Sequence, residues 1–389
     1  MFSDRTNWKL APNRFTQALA EVRAGGATIL DLTVSNPTRV GLQYDEGTIL
    51  GALASPKAID YDPQSKGLRE ARDAVAAYYR DQHDIRSLDP EQLTLTTSTS
   101  EGYSYVFRLL CNPGDELLVP KPSYPLFEFL ADLEDVKLVP YPLIYDHGWQ
   151  MDFPSLEKAL TSRTRGVVVV HPNNPTGSYV QPHELNLLNA FCRERGLALI
   201  VDEVFLDYAH DAKPRASFVA NDAVLTFTLS GLSKISALPQ MKVAWVVTTG
   251  PQAQASAATS RLEVIADTYL SMNAPIQWAT PVLLQQRSCL QKQLLDRVRG
   301  NLGAMDAQLA RQKTCQRLAM EGGWYAVLRV PATKADEDLA IELLRDKRVL
   351  VHPGHFYDFP GDGYLVLSLI APESDFEMGI GGILELLNR

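Results

Sequence analysis

A lysine that directly follows an apolar run is the residue of this chain best placed to do chemistry. The segment Ser230-Gly-Leu-Ser-Lys234 comes after residues 223–229, whose sequence AVLTFTL is typical of a buried strand. Reactive groups of α/β proteins lie beyond the carboxyl ends of such strands. An amine there can form a Schiff base with a carbonyl compound. Lys234 is therefore a candidate nucleophile, although most lysines are solvated surface charges.

Polar groups follow two more runs of this kind. Residues 166–170 (GVVVV) lead into the turn sequence HPNNPTG at 171–177, and residues 197–201 (LALIV) end at Asp202. Alone, the first feature is an ordinary loop and the second is a helix cap or a structural ion pair. A carboxylate at the end of a buried strand nevertheless needs a positively charged partner.

A fourth strand-like run leads into the start of a helix. Residues 92–96 (QLTLT) precede Ser98, Thr99 and Ser100, which in turn open a helix-like stretch at 101–110. Hydroxyls and free backbone N–H groups at a helix start form an anion site, and simple N-capping is the alternative interpretation.

These groups complement one another at a single edge of a sheet. Lys234 suits an aldehyde, Asp202 a ring nitrogen, Asn174 a phenolic oxygen, and the helix start a phosphate. Pyridoxal 5′-phosphate carries all four groups, and a lysine Schiff base with an acidic ring-nitrogen partner is a mark of its sites.

The ordered motifs of the chain resemble those of the class I/II aminotransferases, fold-type I enzymes that depend on pyridoxal phosphate. The resemblance extends over essentially the whole length. Its motifs are SNPT at 35–38, Tyr61, GLREA at 67–71, STSE at 98–101, PGDE at 113–116, PSYP at 122–125, NPTG at 174–177, DEV at 202–204, SK at 233–234 and EGGWY at 321–325.

The resemblance implies an α/β fold with two domains. Alternating strands and helices predict a large doubly wound domain with a mostly parallel sheet. The resemblance places this pyridoxal-phosphate-binding domain at 45–285. It assigns 1–44 and 286–389 to a smaller, discontinuous α/β domain, which a long helix predicted at 288–309 joins to the large one.

The resemblance also assigns roles to single residues. Lys234 would hold the cofactor as an internal aldimine and then move the proton, while Asp202 keeps the ring nitrogen protonated. Asn174 would hydrogen-bond the phenolic oxygen. The other implied cofactor-binding residues are Ser98, Thr99, Ser100, Tyr124, Ser233, Lys242 and, from a second subunit, Tyr61. The last of these implies a homodimer with shared active sites.

Three positions depart from the family pattern. Lys242 stands where arginine is usual, which weakens a bidentate phosphate contact. Phe205 stands where tyrosine is frequent, and the loss of that donor should raise the pKa of the aldimine. Val366 stands where the family has the arginine that grips the substrate α-carboxylate.

Other residues could replace this missing arginine. We expect Arg39, with Asn36 in the same loop, to be the best substitute, although a solvated charge is the simpler interpretation of Arg39. His352 and His355 are further candidates near the mouth of the site. No carboxylate or cysteine completes a metal set with them, so we expect no metal.

The predicted function is the transfer of an amino group between an amino acid or amine donor and a 2-oxo acid. Two alternatives stay open. One is a C–S lyase, or another eliminating or replacing enzyme, on the same site. The other is a non-catalytic sensor that binds pyridoxal phosphate or an amine. Fold alone does not separate them.

Composition narrows the partners and the compartment. The net charge of −9 without a basic block argues against nucleic acid and anionic membranes as partners. The four cysteines are widely spaced, which favours buried thiols over a disulfide framework or a zinc site. No signal peptide or membrane-spanning run is evident, so we expect a cytoplasmic protein.

Overall fold

The computed structural model describes residues 1–211, 213, 215–270 and 272–388, apart from the side chain of Leu126. Its strands, numbered along the chain, are β1 (Leu30–Asp31), β2 (Leu93–Thr96), β3 (Glu116–Lys121), β4 (Lys137–Tyr145), β5 (Trp149–Met151), β6 (Thr164–Val170), β7 (Ala198–Asp202), β8 (Thr226–Gly231), β9 (Ala244–Thr249), β10 (Gln316–Arg317), β11 (Tyr325–Arg329), β12 (Val349–Leu350), β13 (His352–Pro353) and β14 (Tyr364–Ser368).

The helices pack around these strands. They are α1 (Arg14–Ala24), α2 (Glu46–Ala52), α3 (Arg69–His83), α4 (Thr99–Leu110), α5 (Leu126–Leu133), α6 (Phe153–Lys158), α7 (Pro182–Arg195), α8 (Leu232–Ile235), α9 (Gln252–Thr268), α10 (Ala274–Gln285), α11 (Arg287–Leu309), α12 (Asp336–Glu342) and α13 (Glu373–Leu387).

The main sheet has the strand order β2-β9-β8-β7-β6-β3-β4-β5. The central pairs, from β8 through β7, β6 and β3 to β4, are parallel, and the pairs at both ends are antiparallel. Phe107 of α4 and Leu262 of α9 pack in the core on one face, whereas Leu156 of α6 and Leu188 of α7 pack on the other. Helices on both faces make the sheet doubly wound, as the sequence predicted.

The register of the parallel strands brings their carboxyl ends to one edge. Val170, the last residue of β6, lies opposite Asp202, which ends β7. Asp202 in turn lies opposite Leu229 of β8, two residues before that strand ends. The segments that follow these strands are therefore neighbours in space, although they are far apart in the chain.

A second group of strands surrounds a separate core. The antiparallel sheet has the order β10-β11-β14-β13. Strand β1 pairs in parallel with β12, which brings a segment from the first part of the chain beside one from the last part. Leu294 and Val298 of the long helix α11 belong to this core, together with Phe376 of α13. The domain boundaries at 44/45 and 285/286 stay predictions.

Sequence signals located most elements near the site, with some exceptions. The long helix predicted at 288–309 corresponds to α11, which begins one residue earlier, at Arg287, and ends at Leu309. Helices α9 and α10 were missed, because α9 lacks a strong apolar stripe and α10 contains Pro281.

The last two features of the fold are the exposure of the cysteines and the length and polarity of the helices. Cys192 and Cys315 are buried thiols, as predicted, but the prediction is wrong for the exposed Cys289, and Cys111 is half-buried. Among the residues with described positions, no helix has both the length and the apolar character needed to cross a membrane.

Candidate active site

A cavity of about 270 Å³ opens at the carboxyl edge of the main sheet. Most of the residues predicted to bind the cofactor line it, and they come from the ends of five different strands or from the segments that follow them. The predicted residues in the lining are Ser98, Thr99, Ser100, Tyr124, Asn174, Asp202, Ser233 and Lys234. The departure position Phe205 also lies in this wall.

Four predicted site residues lie outside the cavity lining of the single chain. Tyr61 is 79% exposed in the segment between the short 3₁₀ turn at Pro56–Ile59 and α3. Lys242 is exposed and has a left-handed backbone, with φ of 54°. Asn36 and Arg39 are exposed as well, and the Asn36 side chain accepts from Thr38 N–H at 3.0 Å. Their roles stay predictions.

Asp202 is a partly buried carboxylate, and hydrogen bonds hold both of its oxygens. Its Oδ1 accepts from the backbone N–H of Val204 at 3.0 Å, and its Oδ2 accepts from the Tyr103 hydroxyl at 3.1 Å. Burial raises its pKa to about 6, even though the two donors and the Lys234 charge oppose this shift. None of the ion pairs within 4 Å among the described residues involves Asp202. A cationic ligand would supply the partner that burial requires.

Tyr103 is a site residue that the sequence analysis missed. It lies in the first turns of α4, is almost fully buried, and packs edge-on against Phe127, which lines the cavity. Its hydroxyl needs a partner at that depth, and Asp202 is that partner. The sequence signal that could have identified it is a tyrosine in the helix that follows Ser98.

Lys234 points its amine into the cavity from the short helix α8. Its Nζ lies 4.7 Å from the ring centroid of Trp324 and 5.4 Å from that of Phe205. Burial lowers the pKa of the amine to about 8, and the negative charge of Asp202 opposes this shift. At this pKa about one tenth of the amine is unprotonated at pH 7, and the unprotonated form is the nucleophile.

Asn174 presents a side-chain amide that protein groups leave incompletely bonded. The residue is 9% exposed, and its Oδ1 has no hydrogen-bond partner among the described residues. Its loop is held from the other side, because the carbonyl oxygen of Gly177 accepts from the N–H groups of both Glu321 and Gly322 at 3.0 Å. Gly177 has φ of 69°, and a Cβ there would stand 2.5 Å from the oxygen of Gly322. Glycine is therefore required at this close approach.

The start of α4 forms one end of the cavity. Ser98 is the N-cap, and its hydroxyl accepts from Glu101 N–H at 3.2 Å. Thr99 and Ser100, the first two residues of the twelve-residue helix, line the cavity. Free N–H groups and the helix dipole favour a phosphate at such a position.

The opposite wall of the cavity is neutral and aromatic. Tyr325 and Tyr124 line it with Ser35. All the lining residues lie in the described part of the chain, and Lys234 is the only cation among them. Val366, where the family arginine was expected, is buried at 1% exposure and lies opposite both Val327 and His352 in the antiparallel sheet.

His352 adds a polar group behind this wall. Its Nδ1 lies 3.1 Å from the hydroxyl of Tyr357, and burial lowers the pKa of the imidazole. His355, by contrast, is exposed. Neither histidine lines the cavity.

Comparisons with known proteins agree with the chemistry that the cavity residues suggest. The family described as aminotransferase class I and II matches residues 49–371. The alanine aminotransferase of Mycobacterium tuberculosis is 28% identical over 378 residues, which are 94% of this chain and 86% of that protein. The glutamate-pyruvate aminotransferase AlaA of Escherichia coli is 31% identical over 262 residues, or 67% of this chain and 64% of that protein.

Solved structures share the fold. An alanine aminotransferase from Pyrococcus furiosus superposes with a TM-score of 0.90 at 23% identity and covers all of both chains. An aminotransferase from Escherichia coli has a TM-score of 0.87 at 24% identity, over 100% of this chain and 98% of that one.

Proposed function

Because the chain belongs to the class I and II aminotransferases, we propose that it uses pyridoxal phosphate at Lys234 to move an amino group between an amino acid or amine donor and a 2-oxo acid. The family resemblance, the fold-type I architecture and the assignment as an aminotransferase are confirmed predictions. One observation supports the cofactor proposal above all: Lys234, Asp202, Asn174 and the start of α4 line a single cavity.

The residues of the cavity fit the groups of this cofactor. When bound, pyridoxal phosphate supplies an aldehyde and a ring that withdraws electrons from the reacting carbon. Asp202 would bind the ring nitrogen, since both its oxygens are already oriented and it lacks a cation. Asn174 lines the cavity, where its amide nitrogen would donate to the phenolic oxygen, and the first turn of α4 would take the phosphate.

Lys234 would act first as nucleophile and then as the group that moves the proton. With a pKa of about 8, its Nζ can be unprotonated when it attacks and can later accept and return a proton near neutral pH. The rings of Trp324 and Phe205 beside it exclude water and limit the positions that the amine can reach.

The relatives suggest which substrates to test first. They are named for alanine and for glutamate with pyruvate, so pyruvate is the proposed first acceptor, with alanine and glutamate as first donors. The wall with Ser35 and Tyr325 carries no cation, which supports a test of simple amines beside them.

Two finer proposals concern assembly and compartment. We propose a homodimer in which Tyr61 reaches the phosphate of the partner's site. Large exposed apolar side chains on nearby chain segments, Leu50 and Ile59 beside Tyr61, support such an interface. Unpaired thiols at all four cysteines support a reducing, cytoplasmic setting.

A half-reaction screen tests the proposed function. The purified protein is loaded with pyridoxal phosphate, single amino donors are added without an acceptor, and the absorbance of the bound cofactor is followed. Conversion to the amine form of the cofactor, reversed by pyruvate, is the expected result. Release of a 2-oxo acid and ammonia without conversion would instead indicate an eliminating enzyme. No spectral change with any donor would contradict the proposal.

A further inference from the structure

The helix that carries Lys234 is too short to hold its own position. It has only four residues, Leu232–Ile235, and isolated helices of this length are unstable. The segment after it contains Ala237 in the left-handed region, with φ of 51°. That conformation is unfavourable for any residue with a Cβ and persists only where surrounding contacts enforce it.

Side chains from three distant segments provide those contacts. The hydroxyl of Tyr208 donates to the carbonyl oxygen of Lys234 at 2.6 Å, and the hydroxyl of Tyr44 donates to that of Ala237 at 2.9 Å. Between them, Nε2 of Gln291 donates to the carbonyl oxygen of Ile235 at 2.9 Å. Gln291 is buried in the first turns of the long helix α11.

A buried carboxylate orients Gln291. Its Nε2 also donates to Oδ2 of Asp207 at 2.6 Å, so that both protons of the amide nitrogen are used. Two acceptors at one atom show that this atom is the nitrogen and not the amide oxygen. The Asp207 side chain is fully buried, and its Oδ1 lies 3.0 Å from both the hydroxyl of Tyr78 and Nε2 of His83.

We propose that Gln291, oriented by Asp207, is a positioning residue that sets where the reactive amine of Lys234 lies in the cavity. It touches neither the cavity nor the reacting atoms, and it acts through the carbonyl oxygen next to Lys234. The role in the reaction rests on the proposed function, whereas the effect on the amine does not. Asp207 and Gln291 therefore connect helices α3 and α11 to the catalytic segment.

The first experiment uses the full-length chain without cofactor. The rate of Lys234 modification by trinitrobenzenesulfonate is measured against pH by peptide mapping in wild type and in Gln291→Leu. Loss of the anchor lets the amine move toward water, so the midpoint of the modification curve should rise by roughly half a pH unit or more. Asp207→Asn, which keeps the size of the side chain, should shift the midpoint in the same direction by less.

Asn301→Leu is the matched control for the loss of a buried amide. Asn301 lies on the same helix, is 1% exposed, and its Nδ2 donates to the carbonyl oxygens of Leu369 and Ala371, far from Lys234 in the chain. It should lower the melting temperature and leave the midpoint unchanged. An unchanged midpoint in Gln291→Leu, or an equal shift in both variants, would show that Gln291 only stabilises the fold.

The second experiment uses the cofactor-loaded enzyme with a donor identified by the screen. Gln291→Leu should lower kcat roughly tenfold and change KM by less than twofold, because small displacements of a catalytic group cost rate more than binding. A change in KM alone would contradict the positioning role. Failure of the wild type to react would contradict the proposed function and leave the cofactor-free result as an independent test.

Discussion

The two sides of the cavity are built differently. On the sheet side, Asn174, Asp202 and Lys234 follow strand ends, and backbone groups or buried side chains hold them. On the other side, Ser35 and Tyr325 come from segments near the two ends of the chain and present only neutral groups. The sheet side carries the charges that a cofactor needs, and the other side would meet the substrate.

Because of this difference, we expect the sheet side to carry the chemistry and the other side to determine which substrate binds. Charged groups on the sheet side lie at defined positions because the register of parallel strands sets them. The neutral side depends on how β11, β14 and the Ser35 loop pack against the sheet, so single substitutions there can change the substrate without changing the chemistry. Perturbation of the sheet side should therefore cost far more activity than perturbation of the other side.

The largest effect is expected from Lys234→Ala. Removal of the amine eliminates both the attacking group and the proton carrier, and the half-reaction should slow by about 10³-fold or more. Single-turnover absorbance measures this rate. In wild type, borohydride should trap the cofactor on the peptide that contains Lys234. An adduct on Lys242 instead would overturn the assignment of the site.

Asp202→Asn should have the next largest effect. The amide is similar in size and can keep the hydrogen bond from Val204, so the cofactor should stay bound. An amide does not stabilise a protonated ring nitrogen, and the half-reaction should slow by roughly 10²-fold. Near-normal turnover with bound cofactor would mean that another group holds the ring nitrogen.

The same variant predicts a pH shift with a defined sign. The negative charge of Asp202 raises the pKa of Lys234, which burial holds at about 8. When the charge is removed, the pKa of Lys234 should fall below about 8, and its modification by trinitrobenzenesulfonate should set in at lower pH than in wild type. A shift to higher pH would show that the two groups do not interact through charge.

Tyr103→Phe should have a smaller effect on the same side of the cavity. The tyrosine hydroxyl lowers the pKa of Asp202, so its loss should raise that pKa above about 6 and move the acidic limb of the rate profile to higher pH. A hydrogen bond to a charged group contributes about 1.5–3 kcal/mol, and we expect roughly a tenfold loss of rate at neutral pH. Tyr105→Phe, on the same helix, is the control that should leave the profile unchanged.

The smallest effect is expected from Arg39→Ala, because Arg39 is exposed and lies outside the cavity lining. Exposed ion pairs contribute about 0–1 kcal/mol, so KM for α-amino acids should rise by no more than about fivefold. Simple amines should be unaffected. Equal changes for both substrate classes would show that Arg39 does not contact the carboxylate. If wild type prefers amines, the α-amino acid assignment itself is wrong.

Residue type and spacing locate the polar groups of the sheet side. Strand-like runs that end at Val170 and just before Asp202 mark where side chains emerge, because a parallel sheet brings its carboxyl ends to one edge. The sequence analysis missed Tyr103, because a buried aromatic residue in a helix gives the same sequence pattern whether or not its hydroxyl bonds a carboxylate.

Chain order and periodicity, together with the family resemblance, were enough to predict the doubly wound sheet and to place Asp202 and Lys234 at one cavity. They could not decide that Gln291 and Tyr44 hold the helix of Lys234, nor that Arg39 and Lys242 lie outside the cavity of one chain. The physical reason is the distance along the chain between the residues that interact. Strand-end positions follow from local patterns, whereas a side chain that bonds a carbonyl oxygen dozens or hundreds of residues away is placed only by how helices and sheets pack.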